Sequence, residues 1–292
     1  MKNFLKFSAA GFLLIISGGC AGVMTRDFPD ATNRLTIGIT DKSPSYLHDW
    51  PPGAYQIPKS NVFVSNTQGG EETMGAAFLF GIAGREIAGG DIAGGTKKKI
   101  LEGGSNLGLD FQSIVKECLR QELEAQNGSG RFSMGDDYRN CNLQITPYLV
   151  FNMSDDDKAR LWTVLRVELV ENNFNLKVWL CRYIVGLDKP RPFTGENGWN
   201  AGHGRALEAA VAYNLKIAIQ TMLGDFDGKI RNNPVSKDKL CGRWVFYKKP
   251  HEADVRVLRR EDGWDVVLPM VDDDEFFAGI NVLPKDFPEP QN

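Results

Sequence analysis

Residues 143–185 read LQITPYLVFNMSDDDKARLWTVLRVELVENNFNLKVWLCRYIV. Three runs within this stretch alternate apolar and polar side chains with a period of two, the signature of strands. In 143–151, Leu143, Ile145, Leu149 and Phe151 share one face. In 161–170, Leu161, Leu165, Val167 and Leu169 lie opposite Arg166 and Glu168. In 175–185, Leu176, Val178, Leu180 and Ile184 lie opposite Lys177, Trp179 and Tyr183. The short Glu171-Asn172-Asn173 link joins the last two as an antiparallel hairpin. Pro147 cannot donate to a ladder, so the first run is expected at a sheet edge or a bulge. A helical pattern stands on either side. Asp110 is placed to cap a helix carrying Phe111, Ile114, Val115, Cys118, Leu119 and Leu123 to about Gln126, which Asn127-Gly128-Ser129-Gly130 ends. A second helix reaches Asp225 with Leu207, Val211, Leu215, Ala218 and Met222 as its apolar stripe. One stripe per helix against one face of a small sheet predicts the α+β class, a two-layer sandwich of a small antiparallel sheet with two helices.

Toward the N-terminus, Arg34–Thr40 (RLTIGIT) and Asn61–Ser65 (NVFVS) read as two further strands. The loop between them carries Pro44, the Pro51-Pro52-Gly53 turn and the aromatic set Tyr46, His48, Trp50 and Tyr55. Tyr46, Trp50 and Tyr55 form a candidate contact surface, the alternative being rings that pin the loop to the domain. Residues 75–104 hold nine glycines among small and apolar residues. Thr96 precedes Lys97 there, against the G-x-x-x-x-G-K-[ST] order of a phosphate loop, so that reading fails. A loop or short apolar segment packed on the domain remains, with a helix-packing or self-association role as the alternative.

Toward the C-terminus, the loop 186–204 holds Trp199 and His203, both candidate contact residues. After a turn-rich stretch from Gly228 to Lys239, Arg243–Lys248 reads as a strand. Val255–Arg260 and Trp264–Met270, joined by Glu261-Asp262-Gly263, read as a β-hairpin. This C-terminal β-hairpin extension either continues the main sheet or stands as an appendage, followed by an extended proline-bearing tail.

The chain has 292 residues, with 42% hydrophobic and 24% charged side chains, the balance of a globular protein with a core. A formal charge of −3 gives no basic footprint for nucleic acid. The three histidines, His48, His203 and His251, are far apart and form neither an H-E-x-x-H helix nor paired ligands, so no metal and no cofactor are expected. Asp155-Asp156-Asp157 and Asp272-Asp273-Asp274-Glu275 lack calcium-loop spacing and read as solvated turns. His203, between Gly202 and Gly204 and near Glu196, is the best isolated candidate for hydrolytic catalysis, against the plainer reading of a helix-start residue. Cys118, Cys141, Cys181 and Cys241 fit either two disulfides, in three pairings, or buried thiols.

The first residues, MKNFLKFSAAGFLLIISGG, join Lys2 and Lys6, an apolar run from Phe7 to Ile16 and the small residues Ser17, Gly18 and Gly19, directly before Cys20. This is the three-part grammar of an exported leader. With Cys20 framed by Gly19 and Ala21, it resembles the lipobox of bacterial lipoproteins, with Ser17 standing where that family usually has leucine. The resemblance implies cleavage before Cys20, acylation of Cys20 and, since Ala21 is not the aspartate that retains such proteins at the inner membrane, an outer-membrane address facing the periplasm. The apolar run is shorter than the roughly 20 residues that span a bilayer. The order of elements is similar to that of envelope and transport-auxiliary lipoproteins. The expected organisation is therefore a signal peptide (1–19), a lipidated tether (20–34), an α+β domain (35–228) with the glycine-rich insertion 75–104, and the extension with its tail (229–292). The expected function is non-enzymatic: a binding or assembly accessory of the envelope, held to the membrane by lipid and partnered by an envelope protein or polymer. A hydrolase centred on His203 and a self-associating structural lipoprotein are the alternatives.

Overall fold

A computed structural model describes residues 26–29, 34–44, 49–51, 54–57, 60–65, 110–125, 130–154, 158–171, 176–247, 249–271 and 276–287. Cys20, Tyr46, His48, the glycine-rich 75–104 and the acidic runs 155–157 and 272–275 lie outside these residues, as does the side chain of Tyr55. The chain is α+β. Its elements are β1 (Leu35–Ile39), β2 (Ala54–Gln56), β3 (Val62–Ser65), α1 (Phe111–Ala125), β4 (Phe132–Met134), β5 (Leu143–Met153), β6 (Lys158–Glu171), β7 (Leu176–Val185), β8 (Arg191–Pro192), α2 (Arg205–Phe226), β9 (Ser236–Gly242), β10 (His251–Arg260), β11 (Trp264–Pro269) and β12 (Ile280–Pro284).

The sheet is far from small. Among the described residues, twelve strands form one sheet with the path β2-β3-β5-β6-β7-β12-β11-β10-β9. Most pairs are antiparallel, but β1 with β4, β1 with β5, β3 with β5, and β12 with β7 run parallel. The expected β10–β11 hairpin forms, and its turn closes with the Glu261 N–H donating to the Trp264 carbonyl at 2.9 Å. It is no appendage, because β12 follows β11 and pairs along β7, which carries β9–β12 into the main sheet. The β12 junction depends on close approach at Gly279. That residue has φ +122°, and a Cβ there would lie 2.4 Å from the Arg182 carbonyl oxygen.

β5 lies inside the sheet rather than at its edge. It pairs with β6 along its whole length, while its other side takes β1 at Leu143–Ile145 and β3 at Leu149–Asn152, end to end. Pro147 falls in the gap between those two partners, where no ladder hydrogen bond is required of its nitrogen. Asn61 Nδ2 donates to the Pro147 carbonyl at 3.2 Å, so its one remaining backbone group is satisfied.

Both helices form as expected. Ser113 N–H donates to Asp110 Oδ1 at 3.1 Å, which caps α1. Leu207, Val211, Leu215, Ala218 and Met222 of α2 are all fully buried. Above the helix-facing side of the sheet, α1 and α2 pack on Leu143, Ile145, Leu149, Phe151, Leu161, Leu165 and Val167. The face predicted for β7 is inverted. Trp179, Cys181 and Tyr183 point to the helices, whereas Val178 is 47% exposed. A bulge between Leu169 and Val170 shifts the register there.

The opposite face is also buried, and this is why alternation misassigned β7. Tyr148, Val150, Trp162, Val164 and Ile184 form a second core, covered by Trp50, by the segment 244–247 and by Phe287. Trp162 fits over Gly186, where a Cβ would lie 2.4 Å from its ring. The expected strand Arg243–Lys248 is instead this cover. Trp244, Val245, Phe246 and Tyr247 are buried in a turn, with Phe246 at φ 69°. Asn152 Nδ2 donates to the Trp244 and Tyr247 carbonyls, both at 2.8 Å, and holds the turn to β5. The turn-rich stretch before it supplies the edge strand β9. No described helix is long and apolar enough to cross a membrane.

Candidate functional site

Of the residues expected to form a contact surface, the two tryptophans are buried. Trp50 is 3% exposed and packs on Phe63, with its Nε1–H donating to the Pro44 carbonyl at 3.4 Å. Trp199 is fully buried against Phe151 and donates to the Ala159 carbonyl at 3.0 Å. Both rings anchor their loops to the core, as large aromatics do when a core is within reach. Tyr55 belongs to β2, paired with Val64. His203 is exposed. It sits at φ 60° between Gly202 at 63° and Gly204 at 86°, so three left-handed residues in a row lead into α2. Glu196 is also exposed, and among the described residues His203 makes no hydrogen bond or ion pair with a carboxylate, hydroxyl or thiol.

Cys118, Cys141, Cys181 and Cys241 are free thiols, not disulfides. They sit on separate elements. Cys118 lies on α1 with Sγ 3.9 Å from the Ala212 carbonyl, and Cys141 donates to the Asp137 carbonyl at 3.2 Å. Cys181 lies in β7 and Cys241 in β9. Burial pushes the Cys118, Cys141 and Cys181 thiols up, away from the reactive thiolate.

Two charged constellations that alternation did not reveal are brought together by the fold. The first lies on the second face of the sheet. Arg166 of β6 and Arg182 of β7 are cross-strand neighbours, both buried. The buried Asp49 carboxylate stands between them, its Oδ1 2.5 Å from Arg166 Nε and 3.5 Å from Arg182 Nη2. Tyr148 Oη–H donates to the Asp49 carbonyl at 3.2 Å, and burial pushes its phenol up. Arg166 Nη1 lies 2.8 Å from Glu168 Oε1, which also pairs with the exposed Lys177. Like charges side by side on adjacent strands repel; Asp49 and Glu168 offset them, and the Asp49 pairs hold the 49–51 segment on the sheet.

The second constellation closes the C-terminal end of α2. Arg231 Nε and Nη2 donate to Asp225 Oδ1 and Oδ2 at 2.7 and 2.8 Å, a bidentate pair. Tyr183 Oη–H donates to the same carboxylate at 2.7 Å, and Arg231 Nη2 donates to Cys181 Sγ at 3.2 Å. Burial raises the Tyr183 phenol well above its ordinary value, so it stays a donor.

The N-terminal segment docks beside this group. Residues 20–34 were expected to be a tether, yet Phe28 is 8% exposed and packs between Trp179, edge-on at 5.0 Å, and Phe226, at 4.2 Å. Trp179 Nε1–H donates to the Arg26 carbonyl at 3.2 Å, and the Arg131 guanidinium stands 5.8 Å over the Phe28 ring. Asp27 and Phe28 form one wall of a polar pocket of about 300 Å³ whose other side is Arg131, Asp225, Asp227 and Asn232. The signal for this dock was present in the sequence as an isolated Phe-Pro pair in a polar stretch, but its receptor is assembled from β7, α2 and Arg131, just before β4. Among the described residues, no group of three His, Cys, Asp or Glu side chains is placed to hold a metal ion. Comparison of the chain with known protein families, with curated proteins and with solved structures found no match.

Proposed function

We propose that the protein is an outer-membrane lipoprotein facing the periplasm, held by an acylated Cys20, whose domain serves as a binding or assembly accessory of the envelope. The observation that carries this reading is the leader itself: a basic start, an apolar run and small residues ending at a cysteine. The docked Arg26–Pro29 segment supports it. Only five residues separate Cys20 from Arg26, so lipid on Cys20 would hold the folded domain close to the bilayer surface. A single acyl chain binds membranes only marginally, and stable anchoring takes more than one.

The partner surface is assigned to the end of the domain away from the N-terminal dock, where the loop 186–204 leads into α2 through the exposed Gly202-His203 turn. An envelope protein or polymer is the partner class, since the mildly acidic chain offers no basic stripe for nucleic acid. Replacing Cys20 with serine is expected to move the protein from the membrane fraction to the soluble fraction with its fold intact. Sedimentation with membranes unchanged by C20S overturns the reading. Crosslinking in the native envelope, followed by mass spectrometry, identifies the partner.

A further inference from the structure

The Phe28 dock does more than bury a ring, because it fixes where on the domain the chain leaves for Cys20. We infer that the dock orients the molecule: the pole made by the C-terminal end of α2, the start of β7 and the 225–232 turn faces the lipid surface, and the α2 N-terminus with the loop 186–204 points away. This inference rests on the lipid-anchor reading of Cys20.

The geometry sets the scale. Six Cα–Cα steps separate Cys20 from Arg26, a reach of at most about 20 Å when fully extended. The Arg26 carbonyl is held by Trp179 Nε1–H at 3.2 Å, and Phe28 lies against Phe226, the last residue of α2. α2 has 22 residues and acts as a ruler through the molecule. At 1.5 Å per residue it places its first turn about 30 Å from Phe226. Without the dock, the first residue held in the sheet is Leu35. The tether from Cys20 would then reach about 50 Å and would leave every orientation open.

The receptor for Phe28 is built firmly. Trp179 and Phe226 flank it, Phe132 packs on Phe226 behind them, and the bidentate Asp225–Arg231 pair locks the turn that follows α2. Arg26, Asp27 and Pro29 on the outer side are exposed, so the chain leaves at the surface and not through the core. A short leash on a rigid pole presents that pole to the bilayer, by the effective-concentration argument that governs any tethered pair.

The test uses the full lipidated protein on vesicles of phosphatidylethanolamine and phosphatidylglycerol that carry an energy-transfer acceptor on the head groups. Donor dyes are placed singly at Lys229→Cys, beside the pole, and at Glu208→Cys, in the first turn of α2, in a Cys118→Ser, Cys241→Ser background. Transfer at position 229 is expected to exceed that at 208 by roughly twofold or more, because about 27 Å of helix separates the first turn from the pole. Two variants should abolish the difference: Phe28→Ala, which opens the dock, and a twelve-residue Gly-Ser insertion before Arg26, which leaves the dock and the fold untouched. Equal transfer at both positions in the otherwise unaltered protein, with vesicle binding intact, overturns the orientation and leaves the anchor standing. A difference that survives the insertion overturns it as well. Failure of the protein to bind vesicles, or binding unchanged by C20S, strikes the anchor reading itself.

Discussion

Asp188 shows what burial does to a single charge here. Its carboxyl is pushed up, chiefly by burial, while Asn214 Nδ2, donating at 3.2 Å, and the Arg191 guanidinium at 3.6 Å only partly offset the effect. Between the ordinary carboxylate value and the raised folded value, the native state binds more protons than the unfolded chain. Stability therefore falls as pH rises through that window, and the penalty persists at neutral pH. D188N keeps an oxygen to accept from Asn214 and removes the charge. Urea denaturation at neutral pH is expected to find D188N at least as stable as the parent, with the difference fading once the pH drops below the ordinary carboxylate range. Destabilisation confined to neutral pH would show that the Arg191 pairing outweighs burial. Asp225 is the contrasting case. Its bidentate arginine and its tyrosine satisfy it fully, so the charge belongs to the fold and removing it would strand Arg231.

At the level of elements, the exposed edge of the sheet is managed by charge. β9 reads SKDKLCG and pairs on one side with β10. Lys237 and Lys239 are exposed along it, and Lys239 Nζ lies 3.0 Å from Glu252 Oε1. Charged side chains on an edge strand oppose pairing with another chain, because joining two edges would bring like charges together out of water. Replacing both lysines with valine is expected to cause concentration-dependent association in light scattering while leaving the far-UV spectrum unchanged. A double variant that stays monomeric across the range would show that other features guard the edge. The other elements follow local rules where those rules are strong. Asp110 caps α1, the apolar stripe of α2 is buried, and Glu261-Asp262-Gly263 turns the hairpin. The exceptions arise where two partners meet: β5 accommodates Pro147 because β1 ends and β3 begins opposite it, an arrangement set by residues over eighty positions away.

For the whole molecule, the second core ties the chain's last third to its centre. Trp244–Tyr247 and Phe287 cover Tyr148, Val150, Trp162, Val164 and Ile184 on a sheet face whose other side carries the helices. A chain ending at Gly228 loses that cover and also Arg231, so it is expected to lack a near-UV aromatic signal and to bind hydrophobic dye. A soluble truncation with a native-like near-UV spectrum would show the first 228 residues to be self-sufficient. Local sequence sufficed for the α+β class, both helices with their apolar stripes, the Asp110 cap of α1, the C-terminal hairpin and most of the long strands. Those features depend on neighbours within a few positions, and local periodicity and turn chemistry report them directly. Tertiary packing alone joins the twelve described strands in one sheet, makes anchors of Trp50 and Trp199, and sets Asp49 between Arg166 and Arg182. It also docks Phe28, which makes residues 26–29 of the expected tether part of the fold. The reason is physical. Alternation identifies the buried face only when the other face meets water, and here distant segments bury both.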